Sequence, residues 1–132
     1  IGHLTEDVTP TGLRLGGTAA FAALTARAFG LRAGIVTSIN DETSLEPLHG
    51  IPVLRVPAAH STTFENQRTA AGRKQVIRQR AADLTLESLP DAWRKAPIVT
   101  RCCRAVELAR GHRGNPNIGL LIATRNMICR PP

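Results

Sequence analysis

Gly16-Gly17-Thr18-Ala19-Ala20-Phe21, running on to Gly30, is the stretch on which the reading of the fold turns. Two glycines open an apolar segment in which Phe21, Leu24, Ala28 and the nearby Phe29 recur at helical spacing, and Gly30 closes it. A helix start presents unpaired backbone N–H groups, and glycines let a ligand approach that backbone closely. The Thr18 hydroxyl is placed to cap the first turn. Ala33-Gly34-Ile35-Val36-Thr37-Ser38 follows at once and is mostly apolar, as a strand buried on both faces should be. Glycine pair, helix and buried strand together predict an α/β unit with a ligand at the helix start. Taken alone, a helix-opening glycine pair is more often a structural turn than a ligand cradle.

Upstream, Ile1 to Asp7 reads as the end of a strand entering a polar loop, and Thr9-Pro10-Thr11-Gly12 has turn chemistry. Leu13-Arg14-Leu15 alternates as a short strand leading into the glycines. Downstream, Asn40-Asp41-Glu42 forms a polar loop at the strand's carboxyl end, the edge at which open α/β sheets bind ligands. Leu45 to Leu48 predicts a short helical turn. Ile51 to Val56 predicts a strand whose Pro52 marks an edge or a start. Ser61–Arg68 and Arg73–Arg80 form a polar, half-exposed hairpin around Thr69-Ala70-Ala71-Gly72. Leu84 to Lys95 has a helical pattern in Leu86, Leu89 and Trp93, with Pro90 in a first turn, and Pro97–Thr100 begins a second buried strand.

The 132 residues fit one domain of ordinary size, and 42% hydrophobic residues is a globular composition. No apolar run approaches the ~18 residues of a membrane span, and no leader-like segment opens the chain, so a cytoplasmic location is expected. The net charge of +7 is uneven: residues 1–100 carry +2 and residues 101–132 carry +5, with Cys102, Cys103 and Cys129 all in the latter part. Vicinal cysteines support neither a zinc site nor a disulfide framework, and they read as free thiols. His3, His49, His60 and His112 show no metal spacing. The basic end would supply phosphate affinity, but with Trp93, three Phe and no Tyr there is no stacking platform, so a nucleic-acid role is disfavoured. The joint change in charge, cysteine content and pattern leads us to expect residues 101–132 to be an anomalous tail, out of frame or misassembled, with a divergent but genuine tail as the alternative.

Gly2-His3-Leu4-Thr5-Glu6-Asp7, Leu15-Gly16-Gly17-Thr18-Ala19-Ala20-Phe21 and Gly30-Leu31-Arg32-Ala33-Gly34-Ile35 occur in an order and spacing that resemble the PfkB family of ribokinase-like sugar kinases. Gly50-Ile51-Pro52-Val53, Ser61 to Asn66, Gly72 to Gln75 and Pro97-Ile98-Val99 resemble further family segments. The resemblance covers about residues 1–100 and implies the N-terminal part of such a kinase. The fold it implies is α/β, a Rossmann-like layer with a small β lid, incomplete on its C-terminal side, with lid strands near 13–15, 51–56 and 61–80. It further implies ATP-dependent phosphorylation of a sugar or polyol hydroxyl. Asp7 would orient the acceptor, Gly16 and Gly17 would let it touch the backbone, Thr18 would lie beside it, and Phe64 would face it from the lid.

Thr18 and Phe21 stand where many ribokinase-type members carry Lys and Asn, which disfavours ribose and points to a polyol or inositol. The family's catalytic Asp and nucleotide site have no counterpart here, so the chain alone is expected to be inactive and to bind neither ATP nor Mg2+, both of which the complete kinase would use. A homodimer through the lid is a further implication. The alternative reading is a non-catalytic module holding a small polyol.

Overall fold

The computed structural model describes residues 1–101 and 121–123. The expectations placed on Cys102, Cys103, Cys129 and His112, and on most of the basic tail, fall outside the described residues.

Residues Ile35–Ile39 (β3) are buried along their whole length, because their alternate side chains feed two separate cores. Ile35 and Ile39 join Leu4, Ala19, Ala20, Ala23, Leu48 and Ile51 on one side. Val36 meets Leu84 on the other, where Ile1, Leu54, Val56, Leu89 and Trp93 pack around it. Val53–Pro57 (β4) pairs with β3 in parallel. On the opposite edge of β3 the chain start runs alongside: Gly2 N donates to Val36 O at 3.1 Å, and Ile1 N donates to Thr100 O at 2.7 Å. Residues 1–4 therefore bridge β3 to Val99–Arg101 (β7), which pairs in parallel with Leu121–Ala123 (β8). We call this the main layer.

The helix α1 spans Thr18–Ala28 and lies on the first of those two faces. Its buried stripe is Ala19, Ala20 and Ala23, whose small side chains let the helix sit close to the sheet. The larger residues that set the sequence periodicity behave differently: Leu24 is partly buried, while Phe21 is 62% and Phe29 78% exposed. Thr18 does not cap the helix. Gly17 occupies that position with φ of 95° and no side-chain cap bond exists.

A second sheet has the order β2-β1-β5-β6, built from Gly12–Gly16 (β2), Thr5–Thr9 (β1), Thr62–Thr69 (β5) and Gly72–Gln79 (β6). β1 pairs antiparallel with β2 and parallel with β5, which pairs antiparallel with β6. This is the lid sheet. Two expectations are corrected here. Thr5–Thr9, read as the start of a loop, is a lid strand. Residues 51–56, read as a lid strand, instead supply β4 of the main layer, because Val53–Pro57 finds its partner in β3. The helix expected over Leu84–Lys95 is two short 3₁₀ turns, Leu86–Ser88 and Asp91–Trp93. Pro90 separates them, as a proline disfavours helical geometry in the residue before it.

Three chain segments cross between the layers, and hydroxyl and imidazole side chains hold them. Leu4 N donates to Thr37 Oγ1 at 2.8 Å. Ser61 Oγ accepts from Asn40 N at 3.1 Å and contacts Thr43 Oγ1 at 2.6 Å. The His3 ring bridges Thr62 Oγ1 at 2.8 Å and Ala82 O at 3.0 Å, and Thr62 Oγ1 also accepts from Ala81 N at 3.1 Å. A carbonyl only accepts, so Nε2 carries the proton and Nδ1 accepts from Thr62. Burial is the main cause that pushes the His3 pKa below its ordinary value, with the nearby Arg80 charge acting in the same direction.

Candidate functional site

The place where the lid sheet meets the start of α1 gathers most of the residues singled out from sequence. Asp7 is half-buried in the middle of β1. In register it lies opposite Arg14 on β2 and Phe64 on β5, and opposed residues project from the same face of a sheet. Gly16, opposite Thr5, sits directly under the Asp7 carboxylate: a Cβ there would stand 2.8 Å from Asp7 Oδ2 and 3.1 Å from Thr5 Oγ1. A Cβ on Gly17 would stand 2.7 Å from His3 O and 3.1 Å from Thr5 N. The pair is therefore glycine for two reasons, a positive φ at Gly17 and close approach to residues 3–7 at both positions. Thr18 follows as the first helical residue. The fold thus brings Asp7, Gly16, Gly17, Thr18 and Phe64 to one corner.

Asn66, on the half-exposed hairpin and not among the residues singled out from sequence, is their neighbour. Its amide nitrogen donates to Asp7 Oδ1 at 3.2 Å. Its carbonyl oxygen accepts from Arg73 Nε at 3.1 Å, Arg73 Nη2 at 2.7 Å and Gln75 Nε2 at 3.0 Å. Alternation places Asn66, two residues after Phe64, on the same face, but only the pairing of β1 with β5 brings it to Asp7. The Asp41 loop is tied into the scaffold instead. Asn40 donates through Nδ2 to Ala59 O at 3.0 Å and accepts from Glu42 N at 2.6 Å, and Arg55 donates to Asp41 O at 3.0 Å.

The chemistry available at the corner is recognition of neighbouring hydroxyls. A carboxylate accepts from two donors at once, and backbone without side chains leaves room for a ring against it. A shallow groove of about 1080 Å³ lies elsewhere, lined by Ala22, Ala26, Gly34, Trp93 and Ile98 among others and by no carboxylate, and it lacks the groups for that task. Among the described residues no three His, Cys, Asp or Glu side chains come together to hold a metal ion.

No family model and no curated protein matches the chain. Solved structures do match. The sulfate complex of a pyrophosphate-dependent kinase in the ribokinase family superposes with a TM-score of 0.58 at 19% identity, over 76% of this chain and 39% of that one. A pyrophosphate-dependent kinase of the ribokinase family, complexed with a pyrophosphate analogue and myo-inositol, gives 0.57 at 21% identity, over 75% and 37%. A myo-inositol-1 kinase converted by two substitutions into a myo-inositol-3 kinase gives 0.57 at 19%, over 75% and 36%. The fold is therefore the ribokinase-like one, an α/β layer with a small β lid. Within that fold class the matches are kinases that depend on pyrophosphate, and the chain spans 36–39% of their length. No helix among the described residues is long and apolar enough to cross a membrane.

Proposed function

We propose that this chain is the acceptor-binding part and lid of a PfkB-type kinase that transfers a phosphoryl group to a hydroxyl of a small polyol. The observation that carries this reading is the position of the Asp7 carboxylate directly over Gly16, beside Phe64 and bonded to Asn66. Asp7 would accept hydrogen bonds from two adjacent hydroxyls and so fix which one faces the donor. Asn66 holds the carboxylate from its other side. Gly16 and Gly17 admit the ring to the backbone, and Phe64 offers it an apolar surface. The solved relatives support a cyclic polyol, since one of them is complexed with myo-inositol.

The donor would supply a terminal phosphoanhydride, ATP by the family resemblance or pyrophosphate as in the solved relatives. Transfer depends on charge stabilisation around the moving phosphoryl group, and we propose that this chain alone binds acceptor without turnover in the cytoplasm.

Calorimetric titration of the purified chain with myo-inositol tests the reading. Saturable binding is expected, weakened about tenfold or more in Asp7→Asn, in line with loss of a charge-assisted hydrogen bond. Binding indifferent to Asp7 would overturn it. Phosphorylated polyol appearing with either donor would overturn the claim that the chain alone does not turn over.

A further inference from the structure

His3 closes a hydrogen-bond circuit at the base of the lid sheet. Its Nε2 donates to Ala82 O, just past the end of β6, and its Nδ1 accepts from Thr62 Oγ1 at the start of β5, which in turn accepts from Ala81 N. One imidazole thus ties the segment entering β1 to both ends of the β5–β6 hairpin. The circuit adjoins the acceptor corner. Thr5 opposite Thr62 is the first pair of the β1–β5 ladder, and Asp7 opposite Phe64 is the third. The backbone of the same histidine abuts the glycine pair, since a Cβ on Gly17 would stand 2.7 Å from His3 O.

Only the neutral ring can make this set of bonds. A proton on Nδ1 turns that atom from acceptor into donor. The Thr62 hydroxyl, 6% exposed, then loses its acceptor, and it donates to no other group among the described residues. Leaving a buried hydroxyl unpaired is unfavourable. The new charge would also arrive without a free counter-ion. The charged groups that face the ring are Arg80 and Asp83, and they are paired with each other. The neighbouring strand β3 brings only Ile35, Val36, Thr37, Ser38 and Ile39.

Resting on the polyol reading above, we propose that His3 is an acid-sensitive latch on the acceptor site. Its neutral ring holds the roots of β1 and β5 in the arrangement that sets Asp7 beside Phe64, and a proton on Nδ1 releases Thr62 and weakens acceptor binding.

The purified chain is titrated calorimetrically with myo-inositol at a series of pH values from about 8 to about 5, the range in which imidazole changes charge. Affinity is expected to fall about tenfold toward the acid end, the linkage of about one pKa unit between free and liganded ring. His3→Gln keeps a donor for Ala82 O and an acceptor for Thr62 but takes up no proton. It should flatten the profile, and circular dichroism confirms its sheet. In the unmutated chain the imidazole proton resonance of His3, assigned by its loss in that variant, should titrate at lower pH when myo-inositol is bound, because coupling is reciprocal. Acid weakening as steep in His3→Gln as in the parent assigns the response to another group and overturns the latch. A His3 resonance that titrates alike with and without the polyol also overturns it. In both cases the polyol reading stands as long as Asp7→Asn weakens binding at neutral pH. No binding at neutral pH, or binding indifferent to Asp7, removes both readings.

Discussion

The main layer and the lid sheet are both β structure, yet they are held by different forces. Every residue of β3 is buried, and the clusters that pack on its two faces are apolar. In β6 only Val76 is even partly buried, and the lid holds together through backbone ladders, the Asn66 network and the Arg78–Glu65 pair. The main layer is stabilised chiefly by apolar area removed from water, the lid by pairing that water can contest. A rigid platform with a loosely covered sheet beside it is what a site needs if a ligand is to enter and be enclosed.

This contrast can be broken most severely in the main layer. Ile39→Ala should lower stability by roughly 2–5 kcal/mol, the range for emptying a close-packed aliphatic site, as read by denaturant unfolding. A loss no larger than that of Val76→Ala would erase the distinction. Gly17→Ala comes next. It combines a strained φ with a contact to His3 O that no real Cβ makes, and about 1–3 kcal/mol or more is expected from the strain alone. Gly12→Ala sharpens the point, because its φ is also positive while nothing lies within 4 Å of the added Cβ. It should cost about 1–3 kcal/mol, the strain without the clash, and less than Gly17→Ala. If the two alanine variants lose equal stability, close approach is not what fixes Gly17.

The junction between the layers should be the part that responds to pH. His3 is held neutral by burial, with its folded pKa below the unfolded value of 6.5. Its contribution is complete above that value and is lost as pH falls from there toward the folded pKa, because the unfolded chain then binds the extra proton. The thermal midpoint should therefore drop on acidification through that window, and His3→Gln, which can donate to Ala82 O and accept from Thr62, should flatten the drop. An unchanged profile would remove His3 from the account. The smallest effect is expected on the lid surface: Glu65→Gln breaks an exposed pair and should leave the midpoint nearly unmoved, since such pairs contribute little.

Much of the platform was legible in the chain. The glycine pair, the helix to Ala28 and the buried run ending at Ile39 were all readable, because local spacing and composition specify them. The candidate site was legible only as separate residues. Asp7, the glycine pair, Thr18 and Phe64 were singled out on resemblance, but Asn66 was not, since a polar residue on an exposed strand carries no local mark of what lies across from it.

The sequence by itself determined where the glycine turns fall, where α1 and the hairpin of β5 and β6 lie, and that one strand would be buried on both faces; these follow from periodicity and glycine, which act over a few residues. Only the tertiary structure decided that Thr5–Thr9 belongs to the lid and Val53–Pro57 to the main layer, because alternation is the same in either sheet and the partners lie far along the chain. It also decided that Gly17 rather than Thr18 stands at the cap before the helix start, with the backbone of residues 3–5 filling the space beside it. The joining of Asp7 to Asn66 across 59 residues has the same origin: pairing between distant strands, which no local pattern encodes.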